Sequence, residues 1–576
     1  MGGKKGRGIR LLNEYVPVTE WLPSYRAKWL LPDIIAGITV WALLVPEAMA
    51  YAQIAGVPVQ YGLYAAPFAL LGYAVFGTSR RLFIGPVSTI AIVSASAIAP
   101  LAAANSQKYL SMTIALAVIT GVLLVVAGLA RMGFISKFLA KPVLTGFIIG
   151  LALNIAVGQS GKLVGVHLDG ETTVSQLVSL FKQIGSWSWL TLAVGAGCLA
   201  VLFFMSAFAK RVPGALVVAV VGTLLAWGLS LQAHGLAVVG SVPRGLPGWQ
   251  MTGLSMNDMV HLIPGAFAVM LVGLAEALAV AKSYAAKYDE EVVVNQELIG
   301  YGMANLGAGL FQGFAVSGSL SKTAAADEAG GKTPMVLVTC SVLTMLTILF
   351  LTGLFKYLPE AVLGAIVIHA LWSLFDFKEM ARLYRIRKTD FALAAAALLG
   401  VIVIGVIAGI VIGILLSLIA FIDRASRPHT AVLGKDPAGP GFGDIEEHPG
   451  FITEPGLLVY RFEAPLVFTN AEYFADDLLG HVRASDPPLE TVVVDCELIY
   501  DMDTTAADQM VELHKRLASM GVRLVLARVH QKFRDCLDLN RVLEIVGEEN
   551  ISRTIIAAYD DFRFRHGGTT GAGSQG

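Results

Sequence analysis

Long apolar runs recur along residues 33–424, and they restrict what this chain can fold into more than any other feature. A helix of about 20 apolar residues crosses the hydrocarbon core of a bilayer and pairs its own backbone groups there. A mean hydropathy of +0.68 with only 15% charged residues excludes an ordinary soluble globule. We therefore predict a polytopic all-α membrane domain at residues 33–424, built from fourteen segments of which two are short. The segments cover approximately residues 33–52, 60–77, 84–100, 109–130, 138–158, 188–208, 213–231, 257–281, 295–312, 317–329, 334–354, 359–374, 389–405 and 407–424.

Charge divides the chain into a basic part and an acidic part. Residues 1–427 carry 29 Lys+Arg against 19 Asp+Glu, whereas residues 428–576 carry 13 against 24. Lys and Arg concentrate in the cytoplasmic loops of membrane proteins. With the N-terminus inside, most basic residues fall in inner segments, and the outer loops hold only Lys108, Lys162, Lys182, Arg244 and Lys356. We therefore expect fourteen crossings with both termini in the cytoplasm.

The segments on either side of the membrane domain differ from it in composition. Residues 1–32 are charged and interrupted by prolines, which predicts a cytoplasmic N-terminal segment without a cleaved signal peptide. Residues 430–566 alternate strand and helix patterns, which predicts a cytoplasmic α/β domain. Its strands are expected at 457–463, 466–468, 491–496 and 522–529, and its helices from 471 and 505 and around 533–538 and 556–563. The last ten residues, 567–576, predict a disordered tail.

Other motifs give no support for a cofactor. The four cysteines contain no CxxC pair and predict neither a disulfide framework nor a metal site. The sequence GGKT at residues 330–333 lacks the first glycine of a phosphate loop, because position 326 is Ala326, and it lacks the preceding strand. We therefore expect no metal, no cofactor and no nucleic-acid partner.

A polar stretch from Gly313 to Thr333 interrupts the apolar pattern. It reads GFAVSGSLSKTAAADEAGGKT and contains Ser317, Ser319, Ser321 and Lys322. Such residues are costly in hydrocarbon, so they usually face a cavity or a transport pathway. We interpret this stretch as half of an anion site.

The two halves of the membrane domain repeat the same order of features. In the first half, a helix with an intramembrane acid, Glu47, precedes a short segment opened by Gly85-Pro86. In the second half, a helix with Glu276 precedes a short polar segment at Gly318. Transporters often consist of inverted repeats whose broken helices mark the binding site. Two short helices could then begin near the membrane midplane with their N-termini facing each other.

Facing helix N-termini favour an anion, because unpaired amides and the positive ends of the helix dipoles point at it. Lys322 would add a formal positive charge to this site. A carboxylate nearby, at Glu47 or Glu276, would either repel the anion or carry a proton when the anion binds. The sequence therefore predicts an anion site with linkage to protons.

Structural roles compete with this interpretation. Lys322 could extend to the aqueous interface, or it could pair with Glu276, Asp327 or Glu328. Glu276 could serve only to hold helices together. Serines in the first half could ease helix packing, so only Ser88 and Thr89, at the helix start, are given a functional role.

Four stretches, taken together and in order, resemble the sulfate permease (SulP) family, the bacterial relatives of solute carrier family 26. They are VPEAMAYAQIAGVPVQYGLY, GTSRRLFIGPVS, VSGSLSKTA and DCELIYDMDTTA, the last of which resembles a STAS domain (sulfate transporter and anti-sigma factor antagonist). The resemblance covers residues 30–565. It implies a seven-plus-seven inverted repeat with core and gate domains, elevator-like alternating access, a homodimer in the cell inner membrane, and an anion held between the third and tenth helices.

The resemblance also implies roles for individual residues. The substrate-binding residues would be Glu47, Tyr51, Val87, Ser88, Ser319, Ser321 and Lys322. The resemblance also places Glu276, on the eighth helix, at the site. The carboxylates of Glu47 and Glu276 are the groups that the residues themselves predict to couple protons. The family commonly has Gln in place of Glu47 and Arg in place of Lys322, and an ionisable residue at position 47 favours proton-coupled uptake over exchange. In the STAS domain, Thr505 is a candidate for regulatory phosphorylation, whereas Asp503 or Thr504 is the candidate cap of the following helix.

The resulting hypothesis is a non-enzymatic secondary active transporter that couples protons to a small anion, either sulfate, bicarbonate or a dicarboxylate. An uncoupled anion channel or exchanger is the alternative within transport. A membrane-anchored signalling protein that binds a cytoplasmic protein through its STAS domain is the alternative of another class.

Overall fold

The structure is a computed structural model that describes residues 15–104, 106–134, 140–170, 172–209, 212–248 and 254–566. It contains two compact units, which divide between Ser417 and Leu418. The predicted disordered tail, and residues 1–14 of the predicted N-terminal segment, lie outside the described residues.

Each of the fourteen predicted segments contains a helix. The helices are α1 Leu30–Ile54, α2 Gln60–Phe76, α3 Ser88–Ile98, α4 Gln107–Leu129, α5 Lys141–Val164, α6 Trp189–Phe208, α7 Gly214–Gly228, α8 Met256–Tyr288, α9 Val294–Leu310, α10 Leu320–Glu328, α11 Met335–Leu346, α12 Glu360–Leu371, α13 Lys388–Val403 and α14 Val406–Ser426. Within the described ranges, eight helical stretches are long and apolar enough to cross a membrane, by length and composition. The predicted polytopic helical domain is confirmed.

Among the described residues of the first unit, three further α-helices accompany these fourteen. They are Val18–Trp21, Thr173–Lys182 and Phe377–Ile386. The third lies in a basic, amphipathic stretch that ends with Arg385, Arg387 and Lys388, which is typical of a helix along a membrane surface.

Thirteen of these fourteen helices, α1–α13, pack in two groups. In the core group, α1–α4 and α8–α11, α9 packs against α2 and α4, α11 packs against α1 and α2, and α8 packs against α3 and α4. In the gate group, α5–α7, α12 and α13, α5 packs against α13 and α12, and α6 packs against α12 and α7. The two groups meet where α1 contacts α12 and α7, and where α3 contacts α5. This division matches the core and gate domains expected from the resemblance.

Two very short strands place the two broken segments side by side. Strand β1, Ile84–Gly85, precedes α3, and strand β2, Ser317–Gly318, precedes α10. The strands pair antiparallel, with Ile84 opposite Gly318 and Gly85 opposite Ser317. Position 318 requires glycine, because an added Cβ would lie 2.8 Å from the Cα of Ala277 in α8. The order helix, helix, strand, short helix thus occurs in both halves, as the predicted repeat requires.

The second unit is an α/β domain around a six-stranded sheet of order β4-β3-β5-β6-β7-β8. Strands β5 to β8 are parallel, and β3 is antiparallel to both of its neighbours. The strands are β3 Thr430–Lys435, β4 Phe442–Asp444, β5 Leu457–Phe462, β6 Thr491–Asp495, β7 Arg523–Ala527 and β8 Ile551–Ser552. The helices are α15 Ala471–Ala484, α16 Thr504–Ser519, α17 Gln531–Leu539, α18 Val542–Val546 and α19 Ile555–Arg565. Helices α15–α18 cover one face of the sheet, and α19 covers the other.

The predicted strand at 466–468 is wrong. Leu466 makes only an isolated bridge with Met502, and the chain turns immediately afterwards. The side chain of Asn470 closes this turn, because its Oδ1 accepts a hydrogen bond from the Val467 N–H at 2.9 Å. The sequence pattern did not predict strands β3 and β4, which extend the sheet beyond β5.

Candidate functional site

The starts of α3 and α10 form the centre of the site. The β1–β2 pairing brings both helix starts together, and the first amides of a helix have no partner within it. Val87 is the N-cap of α3 and Ser88 its first residue, and both are buried. Ser319 is the N-cap of α10, where its Oγ accepts a hydrogen bond from the Lys322 N–H. Two helix N-termini therefore point towards one buried region, which is the arrangement that favours an anion.

A buried ion pair joins α10 to α1 at this place. Lys322 Nζ lies 2.5 Å from Glu47 Oε2 and 3.4 Å from the carbonyl oxygen of Pro86. The same ammonium group lies 5.3 Å from the ring centroid of Tyr51, whose hydroxyl donates to Glu47 Oε2 at 3.3 Å. Lys322 does not extend to the aqueous interface, because only 1% of its side chain is exposed. Its partner is Glu47, which was not among the acids considered as structural partners from the sequence.

The exposure of the site residues is uneven. The Glu47 side chain retains 11% exposure, against 1% for Lys322. Ser319 is buried, whereas its neighbours Leu320 and Ser321 are exposed. The hydroxyls of Ser319 and Ser321 lie 3.2 Å apart. The carboxylate of Glu47 is thus more exposed than the ammonium of Lys322, and exposed residues of the first turn of α10 lie next to the buried pair in the sequence.

Glu276 has a different environment from Glu47. Its Oε2 accepts a hydrogen bond from Thr89 Oγ1 at 2.7 Å, which ties α8 to the first turn of α3. Among the described residues, Lys322 pairs with Glu47 and not with Glu276. This contact agrees with the alternative in which Glu276 holds helices together, and it also places a second carboxylate beside the start of α3.

Two further polar residues, which sequence reasoning missed, fix the broken segments. Asn305 in α9 is buried, and its side chain donates to the Val316 carbonyl at 3.0 Å and accepts from the Val316 N–H at 2.9 Å. Thr323 Oγ1 accepts from the Phe83 N–H at 2.9 Å. An amide among the apolar and glycine residues in the second half of a membrane helix is itself a signal of a functional or structural site, so Asn305 could have been found as a candidate.

Two buried acids bind the loop that precedes β1 and the loop that follows α10. Glu297, which is fully buried, accepts hydrogen bonds from the N–H groups of Thr78 and Ser79, at 2.7 and 2.9 Å. Asp33, also fully buried, accepts from the N–H of Lys332 at 2.7 Å and from Thr333 Oγ1 at 2.6 Å. Sequence reasoning used Asp33 only as a helix start and missed Glu297. These contacts fix the loop before β1 and the loop after α10.

In the second unit, Asp503 caps α16. Its carboxylate accepts from the Ala506 N–H at 2.9 Å and from the Phe468 N–H at 2.7 Å. Thr505 is exposed in the first turn of the same helix, where a modifying enzyme could reach it. Phosphorylation of Thr505 stays a prediction.

A buried acid ends the central strand of the same unit. Asp495 is fully buried and accepts hydrogen bonds from Arg461 Nε at 2.7 Å and from Arg528 Nε at 2.8 Å. Burial raises the pKa of Asp495, but the hydrogen bonds from Arg528 and Arg461 outweigh it, so that this pKa lies below its ordinary value. Asp495 is therefore a charged structural residue of the sheet.

Comparisons with known proteins identify both units. The sulfate permease family model matches residues 30–397, and the STAS domain model matches residues 445–558. A probable sulfate transporter of Mycobacterium tuberculosis is 36% identical over 551 residues, which cover 95% of this chain and 98% of the relative. Sulfate transporter 3.1 of Arabidopsis thaliana is 30% identical, covering 90% of this chain and 82% of the relative.

Two solved structures have the same fold. Murine Solute Carrier 26 family member A9, an anion transporter in the inward-facing state, superposes with a TM-score of 0.90 at 22% identity, covering 97% of this chain and 95% of that one. The transmembrane domain of the cyanobacterial bicarbonate transporter BicA gives a TM-score of 0.59 at 22% identity, covering 69% of this chain and 98% of that one.

Proposed function

The chain belongs to the sulfate permease family, which consists of anion transporters and not enzymes, and on this premise we propose a proton-coupled secondary transporter of small anions. The observation that carries this proposal is the buried pair of Lys322 and Glu47 at the N-termini of α3 and α10. A site with one cation and two helix N-termini suits an anion. A carboxylate that pairs with the same cation couples binding of the anion to protonation of the carboxylate.

The linkage follows from competition for one ammonium group. When Glu47 is ionised, its carboxylate occupies Lys322 at 2.5 Å and its charge repels an incoming anion. When Glu47 takes up a proton, the ion pair is lost and the ammonium of Lys322 becomes free to pair with the anion. The anion then replaces the negative charge that Glu47 has lost. A monovalent anion therefore enters together with one proton. For a divalent anion, Glu276 beside α3 is the second proton acceptor that we assign.

The remaining site residues complete the anion site in this proposal. The N-terminal amides of α3 and the hydroxyls at the start of α10 would donate to the anion, and the Tyr51 hydroxyl would hold the protonated Glu47. The substrate-binding set is therefore Glu47, Tyr51, Val87, Ser88, Ser319, Ser321 and Lys322.

Sulfate is the first substrate to test, because relatives that align over nearly the whole chain are named as sulfate transporters. Bicarbonate and dicarboxylates follow, since the same amides and one ammonium also suit them. We further propose that the core group moves against the gate group as an elevator. The protein would be a homodimer in the cell inner membrane with both termini in the cytoplasm, and its STAS domain would be available to a cytoplasmic protein.

The test is uptake by the full-length protein in proteoliposomes across this panel of anions at two pH values. An inward proton gradient should drive accumulation of at least one anion above equilibrium, and Lys322→Ala should abolish it. An uncoupled channel or exchanger would equilibrate or exchange the anion without accumulation, which would refute proton coupling.

A deletion tests the alternative of another class. Removal of residues 430–576 should leave uptake measurable if the STAS domain is regulatory. No uptake of any anion in the panel by the full-length protein would refute transport and favour a signalling role.

A further inference from the structure

A basic side chain outside the anion site bridges the two helix groups. Lys162, in the last turn of α5, donates a hydrogen bond from Nζ to Gln53 Oε1 at 2.8 Å. Gln53 lies in the last turn of α1, the helix that carries Glu47 and Tyr51. Helix α5 belongs to the gate group and α1 to the core group. This hydrogen bond therefore joins the gate group to the core group, which carries the anion site.

The stem of Lys162 is fixed within the gate group. Helix α5 packs closely on α12 at Gly364, where an added Cβ would lie 3.4 Å from the Lys162 Cβ. Glu360, the first residue of α12, attracts the charge of Lys162. The charged end of Lys162 is thus attracted by Glu360 of the gate group and contacts the core group through its hydrogen bond with Gln53.

The same surface of α5 holds a buried polar group that is not satisfied. Gln159 lies one helical turn before Lys162 and is buried, and its Oε1 accepts no hydrogen bond from any residue that the structure describes. Buried polar atoms are usually paired, so each exception calls for an explanation. A contact surface that separates during a transport cycle cannot be optimised for one arrangement alone, and an unpaired polar atom one turn from Lys162 is consistent with such a surface.

We propose that Lys162 and Gln53 form a latch that holds the outer ends of α1 and α5 together and opens when the anion site is exposed to the outside. The inference rests on the proposed function and on the predicted orientation, in which α1 and α5 both run from inside to outside. Gln53 is six residues beyond Glu47, or about 9 Å further along α1. A hydrogen bond from a charged donor favours the closed arrangement by about tenfold and still breaks in every cycle.

The test measures access to a buried position next to the latch. Ala55, fully buried at the end of α1, is replaced by cysteine in a chain whose partly buried Cys198 and Cys536 are serine. A membrane-impermeant maleimide is added outside intact spheroplasts, and the labelling rate is measured. Lys162→Met and Gln53→Leu should each raise this rate by about tenfold, and the double variant should label no faster than either one.

Two matched variants control for the loss of a lysine. Lys182→Gln removes another lysine of a predicted outer loop and should leave the rate unchanged. Lys162→Arg retains a charged donor and should preserve slow labelling, whereas a general loss of folding would not be rescued in this way.

Three outcomes would overturn the latch. They are unchanged labelling in both single variants, multiplicative effects in the double variant, and acceleration seen only in inverted vesicles. Labelling needs no anion transport. The labelling experiment can therefore support the latch even if proton-coupled uptake is refuted, and it can refute the latch even if proton-coupled uptake is observed.

Discussion

Replacement of Glu47 by glutamine tests the proposed coupling directly. Glutamine keeps the size of the side chain but cannot ionise, so Lys322 has no competing carboxylate at any pH. In the wild-type protein, anion binding should strengthen as the pH falls, because protonation of Glu47 releases Lys322. In Glu47→Gln, the pH dependence that Glu47 causes should be lost, so a monovalent anion should bind at every pH as tightly as it binds the wild-type protein at low pH. For a divalent anion, only the part of the pH dependence that Glu276 causes should remain.

The expected size of the effect follows from the geometry of the pair. Lys322 Nζ lies 2.5 Å from Glu47 Oε2, and an anion in contact with the other side of the ammonium adds about 3 Å. Two like unit charges about 5.5 Å apart repel each other by about 3 kcal/mol at an effective dielectric constant of about 20. This energy corresponds to about a 150-fold difference in affinity between the ionised and protonated states of Glu47.

The assay is equilibrium binding of radiolabelled sulfate, or of the anion identified by uptake, over a range of pH. Uptake driven by a proton gradient is measured on the same preparations. Glu47→Gln should bind a monovalent anion at high pH up to about 150-fold more tightly than wild type, while accumulation of that anion against a gradient is lost. Glu47→Asp is the matched control, because it keeps an ionisable group and should keep the pH dependence.

Removal of one partner from a buried ion pair can also destabilise a protein, by about 3–5 kcal/mol. Size-exclusion elution and thermal unfolding of both variants separate this effect from a change in binding. If folded Glu47→Gln shows the same dependence of affinity on pH as wild type, Glu47 is not the linked group and the reasoning is refuted.

The remaining predictions concern other parts of the fold. Lys322→Arg should weaken the dependence of anion binding on pH, measured in the same assay, because a guanidinium can hold Glu47 and an anion together; an undiminished dependence would contradict this. Gly318→Ala should lower the unfolding temperature, by the equivalent of about 1–3 kcal/mol, because its Cβ would lie 2.8 Å from backbone, whereas Gly85→Ala meets only contacts of 3.6 Å and should be tolerated. Asp495→Asn should destabilise the STAS unit by about 3–5 kcal/mol, seen as faster hydrogen exchange in β6, and equal exchange rates would show that the two arginines do not need its charge. Because the pKa of Asp495 is lowered by folding, its ionised form stabilises the unit above the unfolded pKa of about 3.9, and this stabilisation is lost as the pH falls below that value.

The sequence predicted the helices well, because length and apolarity alone define a membrane segment. The repeat was also recognisable, since Gly85-Pro86 and Gly318 interrupt apolar runs at matching places. The identity of the partner of Lys322 was not recognisable, because Glu47 is 275 positions away in the sequence, and nearer acids such as Asp327 competed as candidates. Asn305 was recognisable as a polar residue in a membrane helix, but its partner was not, since the contact with Val316 exists only once the chain before β2 is folded beside α9.

The chemistry of the pair explains why an acid at position 47 and a lysine at position 322 belong together. An ammonium is a compact charge without the planar fork of a guanidinium, and this one already contacts Glu47, the Pro86 carbonyl and the Tyr51 ring. With only 1% of the Lys322 side chain exposed, water cannot replace a lost partner. The ammonium therefore needs the carboxylate or an anion beside it, and these two repel each other while Glu47 is ionised. Repulsion between two negative charges at one buried cation converts the protonation of Glu47 into a change in anion affinity. By thermodynamic reciprocity, a bound anion must favour the proton on Glu47 to the same extent.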